Sequence, residues 1–472
     1  MNHITRRGFI KGSVLAGGAL LTARSWAQVA GANEAIGVGV IGFNGRGGNH
    51  ISDLAGMKGV RLVALCDADR KVLDGGVKKL KDKGLDVEGY QDVRKLLENK
   101  NIDAVTTATP NHWHSLIIVW ACQAGKDVYC EKPVSHNVLE GRKAVEAARK
   151  YKRIVQAGTQ CRSSVGLIEA IKWLQEGNLG KIIVSRGLCY KPRGSIGKVT
   201  APQPVPATID YDLWCGPAPM VPLMRKNLHY DWHWVWATGN GDLGNQGIHQ
   251  MDIARWVLGE TELSPKVLSV GGRLGYIDDG ETPNTQFVFH DYPKAPLIFE
   301  VRGLKTQDYH GAKIGVVVDC EGGSMVIPSY TSATAFDKDG KQVKKWNGGG
   351  NHMANFIAAI RSRKIEDLKS DVLEGHLSSA LCHTGNISYR LGRQAAPGEI
   401  KEQIKGNKAA LETFERMASH LADNKVDLDA TKGTIGPVLA MDGKAEKFID
   451  NSKANEMLTR QYRQPFVVPE TV

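Results

Sequence analysis

The sequence predicts an α/β protein: a doubly wound parallel sheet at the N-terminus, then a second α/β domain whose sheet is mostly antiparallel. Three observations carry this. Val38 to Gly48, V-G-V-I-G-F-N-G-R-G-G, reads as a buried strand, a tight glycine turn and the start of a helix. Apolar strand-like runs then alternate with helical periodicity as far as Lys152, the pattern of parallel strands joined by crossover helices. Beyond Val267 the chain changes to short alternating segments bounded by turn residues. The length of 472 residues suits two or three domains, and 42% apolar with 24% charged residues is ordinary for a soluble globular protein.

The first 27 residues differ in kind. Thr5-Arg6-Arg7-Gly8-Phe9-Ile10-Lys11 is a twin-arginine pattern, Gly12 to Leu21 is apolar and glycine-rich, and Ser25-Trp26-Ala27 offers small residues for cleavage. This run is half the roughly 20 residues of a spanning helix, so the expectation is a cleaved leader, not an anchor. The twin-arginine export machinery becomes an expected partner and the periplasm, or another exported location, the expected destination. Formal charge is +11, and the four basic residues of the leader leave about +7 on the rest (11 less 4). That surplus is scattered, which gives no support to nucleic-acid or membrane binding. Eight cysteines form no C-x-x-C pair, so buried thiols are expected, with no metal site.

Along the chain, strands are expected at Val38–Ile41, Val60–Cys66, Asp103–Thr107 and Lys126–Tyr129. Helices are expected at Asp69–Lys83, Asp92–Asn99, His112–Ala124 and Asn137–Lys152. After Gly158 come a helix at Ser163–Glu176, a strand at Lys181–Tyr190 and a Pro/Gly-rich excursion from Lys191 to Asp210. The antiparallel set is Val267–Leu274, Thr285–His290, Leu297–Val301, Lys313–Asp319 and Ser324–Ile327, followed by helices at His352–Arg363, Val372–Arg390 and Thr413–Asn424. The resulting division is a leader (1–27), a first domain (34–158), a second domain (159–393) and a C-terminal extension (394–472) wrapping over polar surface.

The glycine turn points to a dinucleotide. Its free N–H groups and the positive end of the helix dipole suit a pyrophosphate. Gly42, Asn44 and Gly47 follow the G-x-G-x-x-G spacing with asparagine in the middle, and a ligand-free βα turn would read the same way. Asp67, twenty residues beyond Gly47 at the end of an apolar run, adds a carboxylate for ribose hydroxyls and favours NAD over NADP, with Arg70 nearby as the counter-indication. Ligands of doubly wound sheets bind at the carboxyl ends of the strands. The segments Thr109-Pro110-Asn111-His112-Trp113-His114 and Glu131-Lys132-Pro133 should therefore face the cofactor. Lys132 there is suited to proton transfer, against the plainer reading of a surface lysine. In Gly239–Asp252, Asn245 and His249 share a helix face, and His249 is either a proton carrier or a hydrogen-bonded core residue. The aromatic run Leu228–Trp236 offers Tyr230, Trp232 and Trp234 for a sugar face, or equally a core-facing strand; Tyr190 and Arg193 precede it as candidate polar contacts. His229 and His233 have helical spacing, but the Trp alternation argues against a helix, and no metal is assigned.

Taken together, a turn ending G-R-G, then T-P-N-x-x-H, E-K-P and G-x-H-x-x-D in that order, resembles the glucose-fructose oxidoreductase / inositol dehydrogenase / MocA (Gfo/Idh/MocA) family from about Glu34 to Arg393. The resemblance implies a nicotinamide-binding Rossmann domain, a second domain with a large open sheet, sugar or polyol substrates, and a homo-oligomer. It also implies catalytic roles for Lys132 and His249, a proline at Pro133 of the kind often cis in the family, and cofactor contacts from Gly42, Asn44, Gly45, Arg46, Gly47, Asp67, Thr109, Pro110, Asn111, His114, Glu131 and Lys132. Family dehydrogenases commonly carry aspartate where this chain has Asn245, which can hold a hydroxyl but not take its proton. An exported enzyme meets no NAD pool, so the cofactor is expected not to exchange. Three functions remain open: a carbohydrate oxidoreductase, a redox-neutral NAD-dependent glycosidase acting by oxidation, elimination, hydration and reduction, and a cofactor-bearing binding protein without turnover.

Overall fold

The computed structural model describes residues 35–472, so the leader and its cleavage site lie outside the described residues. The first sheet has six parallel strands in the order β3-β2-β1-β4-β5-β6: β1 Ile36–Ile41, β2 Val60–Cys66, β3 Glu88–Tyr90, β4 Ala104–Thr107, β5 Asp127–Cys130 and β6 Val155–Ala157. Strand order reverses between β1 and β4, which opens a crevice above their carboxyl ends. The connecting helices are α1 Arg46–Ala55, α2 Arg70–Lys81, α3 Val93–Glu98, α4 His114–Gln123 and α5 Val138–Lys150. Asp69, Asp92 and Asn137 start α2, α3 and α5 by accepting backbone N–H groups of the first turn. Helix α4 is apolar nearly all round and correspondingly buried. Strands β3 and β6 were not expected, because three residues are too few to show a period.

After α6 Val165–Gln175, strand β7 Ile182–Cys189 enters the second sheet. Helix α7 Gly247–Leu258 precedes β8 Lys266–Gly272, β9 Thr285–His290, β10 Leu297–Arg302, β11 Ile314–Cys320, β12 Gly323–Ile327, β13 Ser332–Asp337 and β14 Gln342–Asn347. Strands β7 and β10 pair in parallel and their neighbours are antiparallel. The β13–β14 hairpin was not anticipated, its second strand being mostly polar and exposed. One face of this sheet packs on α6, α7 and α9 Val372–Arg390 through Val288, Leu297, Phe299, Val316 and Met325. Helix α8 His352–Ser362 returns to the first domain, where Phe356 and Ile357 pack beside Val38 and Val40.

The extension differs from the expected polar wrapping. Strands β15 Arg393–Ala395, β16 Gly433–Ile435 and β17 Leu439–Asp442 join the large sheet, and β18 Lys447–Phe448 pairs with β17. Helices α10 Pro397–Ile404 and α11 Lys408–Asp423 lay Ile400, Phe414, Met417 and Leu421 on the sheet's outer face, over Leu268, Val270, Phe287 and Ile298. The extreme C-terminus buries Phe466 completely between Trp113 and Trp120 of the first domain. No described helix is long and apolar enough to cross a membrane, and all eight cysteines are buried and free.

Candidate active site

A cavity of about 810 Å³ runs over the carboxyl ends of the first sheet. At one end β1 delivers the chain into Gly42, whose φ of +71° favours glycine and whose missing Cβ would stand 2.9 Å from the Thr109 backbone. Gly47 is equally constrained, since a Cβ there would lie 2.1 Å from the Gly42 carbonyl oxygen; its role is the close approach of α1 to β1, behind the cavity wall. Gly45 faces open space and starts α1 without a side-chain cap; the Gly48 N–H turns back to the Gly45 carbonyl at 2.9 Å, and the N–H groups before it are left for a ligand. Asn44 lines the cavity, is exposed, and does not have positive φ, so its backbone needs no glycine and its amide is free to contact a phosphate.

Asp67 follows β2 with one oxygen accepting from the Phe43 N–H at 3.2 Å and the other from the Asp69 N–H at 3.0 Å. Burial pushes its carboxyl above the usual range, and the two backbone donors oppose that. Arg70 is turned to Gln91 and does not line the cavity.

Thr109, Pro110, Asn111 and His114 line the middle. The buried His114 ring lies against the carbonyls of Pro133 and Thr109, tying the two loops together, and donates to one at a time when neutral; burial holds its pKa below the ordinary value. Asn111 donates to the Asn240 side chain at 3.2 Å, which anchors the glycine-rich segment before α7. The peptide bond between Lys132 and Pro133 is cis. Glu131 is the hub: its Oε1 accepts from Arg46 at 2.9 Å and Gln160 at 3.1 Å and pairs with His50 at 3.2 Å; His50, Arg46 and Lys132 hold the buried carboxylate well below its usual pKa against desolvation.

At the far end Lys132 Nζ donates to the backbone carbonyl of Asn245 at 2.9 Å. Burial lowers its pKa, with repulsion from Arg46 and Lys191 acting in the same direction and Glu131 opposing. His249 is 6% exposed, its Nδ1 has no protein partner, and its pKa is pushed down to about 3 by burial and then by the Lys132 charge. Its ring centroid lies 4.9 Å from that of Tyr330, whose hydroxyl accepts from Gln246. Asn245 and His249 both line the cavity, but not by helical spacing: a short helix, Gly241–Gly244, ends at Asn245 before α7 begins at Gly247.

The substrate contacts divide. Tyr230 and Trp232 line the cavity, whereas Trp234 is buried behind them with Arg193 over its ring at 5.2 Å. Arg193 does not reach the cavity; it pairs with Asp242 and donates to the Tyr230 hydroxyl at 3.0 Å. Tyr190 is outside the site, donating to Glu300 at 2.9 Å and packing with Leu188 and Val317. The run Leu228–Trp236 is not extended as its alternation suggested: Leu228–Asp231 is a helical turn continued by a 3-10 turn, Trp232–Trp234, held by the Trp232 and His233 side chains bonding back to His229 and Tyr230 carbonyls. His229 is spent on Asp69, and among the described residues no cluster of three or more metal-ligand side chains exists. Gln160, His50 and Tyr330 went unseen in the sequence, since each stands alone outside any motif.

An elongated cavity with a free helix N-terminus, a glycine facing open space and a carboxylate at one end, and an unpartnered imidazole at the other, fits a dinucleotide. Residues 36–159 match an oxidoreductase family with an NAD-binding Rossmann fold, and residues 172–419 match that family's C-terminal alpha/beta domain (GFO_IDH_MocA). The chain is 27% identical over 178 residues to an inositol 2-dehydrogenase of Salmonella typhimurium, covering 37% of this chain and 52% of that protein. It is 29% identical over 125 residues to a glycosyl hydrolase family 109 protein of Shewanella pealeana, covering 25% and 27% respectively. The chain therefore spans about half the length of the inositol dehydrogenase it matches and less of the hydrolase. Among solved structures, the WlbA dehydrogenase of Bordetella pertussis, crystallised with NADH and UDP-GlcNAcA, superposes with a TM-score of 0.55 at 19% identity, covering 74% of this chain and 94% of that one.

Proposed function

We propose, from the premise that the chain belongs to the Gfo/Idh/MocA oxidoreductase family over both of its domains, that it is an NAD-dependent oxidoreductase acting on a hydroxyl of a sugar or polyol, with a cofactor that stays bound between turnovers. The observation that carries this reading is a single cavity lined at one end by Gly42–Arg46 and Asp67 and at the other by Lys132 and His249. Bound NAD supplies the hydride acceptor or donor. Gly45 and the first turn of α1 receive the pyrophosphate, and Asp67 accepts from the ribose hydroxyls. Lys132, its pKa lowered so that the neutral amine is accessible, holds the substrate hydroxyl and takes its proton as the carbinol carbon becomes a carbonyl. His249 stays neutral at working pH and offers an uncharged imidazole beside it. Tyr230 and Trp232 give the apolar wall on which a sugar face stacks.

A redox-neutral glycosidase is the second reading, favoured by the local likeness to the Shewanella hydrolase and by Asn245 in the cavity lining, whose side-chain amide cannot take a proton as a carboxylate would. The twin-arginine leader supports export in the folded state and a periplasmic location; a homo-oligomer rests on the family likeness. Native mass spectrometry of the purified protein is expected to find one NAD per chain, and sugar addition to raise the reduced-nicotinamide absorbance. Release of aglycone from a glycoside, with no net absorbance change, would select the second reading. A protein that neither holds nor takes up dinucleotide would sink both.

A further inference from the structure

The excursion between β7 and α7 does more than connect them. Thr208 accepts the Arg70 N–H at 2.8 Å, the Asp210 N–H donates to Ala68 at 3.0 Å, and Ile209 forms a β-bridge with Asp69, so this segment is tied to the residues directly after Asp67. A few residues on, it is tied to the opposite rim. Trp113 Nε1 donates to the Leu213 and Trp214 carbonyls at 3.0 and 3.2 Å, and His112 lies 3.0 Å from the Trp214 carbonyl. Leu213 and Trp214 at the second tie, and His229 and Tyr230 further along the same excursion, line the cavity that begins at Gly42 and Asp67. The excursion is thus a strap crossing the switch-point crevice from the β2 rim to the β4 rim. It has a small core of its own, Ile209, Trp214, Leu223, Leu228 and Trp232. Two side chains fasten it from opposite sides. His229 Nε2 meets the buried Asp69 carboxylate at 3.1 Å from within, and from outside Arg463 donates to the carbonyls of Asp212 at 2.8 Å and Gly216 at 3.0 Å. Arg463 is itself held over the ring of the buried Phe466.

We propose that this strap is the adenosine-side wall of the cofactor site and that the His229–Asp69 and Arg463 fastenings set how long the dinucleotide is retained. The inference rests on the reading of the cavity as an NAD site and adds to it the residues that close it. A dinucleotide lying along Gly45 and Asp67 is roofed by the strap, and its adenosine half leaves only when the strap detaches from a rim. Because Arg463 fastens the strap from outside the cavity, loosening it there changes release and not the hydride step.

The test is exchange of radiolabelled NAD from the loaded full-length protein into excess unlabelled NAD. His229→Leu and Arg463→Ala, which act on opposite sides of the strap, are each expected to speed release at least tenfold. His229→Gln, which keeps a donor at similar reach, should stay near the native rate. Reduction of the bound cofactor in a single turnover should be unchanged in Arg463→Ala, whose site lies outside the cavity. Release rates equal to native in His229→Leu and Arg463→Ala, or rapid exchange in the native protein, would overturn the strap while leaving the NAD site intact. Failure of the native protein to take up label would instead overturn the NAD reading itself.

Discussion

Lys132 reaches the Asn245 carbonyl, and that contact fixes where its ammonium group stands relative to the cavity. A buried lysine with a lowered pKa is poised to move a proton, and removing it costs about 10²- to 10⁴-fold in rate where proton transfer is catalysed by a positioned side chain. Lys132→Met should therefore lower turnover by at least 100-fold while native mass spectrometry still finds the cofactor; full activity would remove Lys132 from the mechanism. In the proposed site Asp67 is assigned to recognition, not to chemistry. Its carboxylate repels a 2′-phosphate, and Arg70, engaged with Gln91, does not offset it. Asp67→Ala should shift the ratio of NAD to NADP affinity at least tenfold toward NADP, measured by titration of stripped protein, and an unchanged ratio would count against its role. The cavity positions of both residues were legible because each follows an apolar strand of recognisable pattern. Tyr190 also ends a strand, yet its side chain meets Glu300 and the outer-face apolar cluster, a facing that the sequence alone did not settle.

Elements were legible where the period was long enough to read. Strand β9 and helix α9 begin and end as the pattern predicted, and the glycine turn with α1 follows from Gly42 and Gly47, whose backbone contacts admit no Cβ. The strap was read only as an excursion, since its hydrogen bonds go to residues more than 90 positions away and leave no local pattern. Leu228–Trp236 was misleading for a physical reason: alternating aromatics mimic a strand, while local bonds from the Trp232 and His233 rings close helical turns. The C-terminal segment was hidden because its anchors are isolated apolar residues in polar sequence. Phe466, fully buried and flanked by Trp113, Trp120, Arg94 and Arg463, is the chief one. Phe466→Ala should destabilise the protein by about 3–5 kcal/mol, as for other buried aromatic truncations. Chemical denaturation would read this, and a change below about 1 kcal/mol would mean that the tail does not stabilise the first domain.

At the scale of the whole molecule, helices α10 and α11 cover the outer face of the large sheet over β8, β9 and β10, so that part of the face is closed to a second copy. The same dense burial sets the acid limit of the fold. His112, His233, His249, His290 and His383 have pKa values pushed down to about 3, and His420 to about 4, desolvation being the first cause in each. In the unfolded chain these rings titrate near 6.5. Between about pH 6.5 and 3 the unfolded state thus binds more protons than the folded one, and stability rises with pH and falls as pH drops through the unfolded value. Each ring contributes on the order of 1 kcal/mol of loss per pH unit, so several together rival a typical total stability of about 5–15 kcal/mol. Glu131 and Glu446, both held below the ordinary carboxylate range by their basic neighbours, lose their contributions only at lower pH, below the unfolded value near 4.3. The melting temperature of the cofactor-free protein should accordingly begin to fall just below pH 6.5 and drop steeply by pH 5, before carboxylates titrate. A melting temperature that is flat from pH 7 to 5 would show that these histidines are hydrated, or charged, in the folded protein.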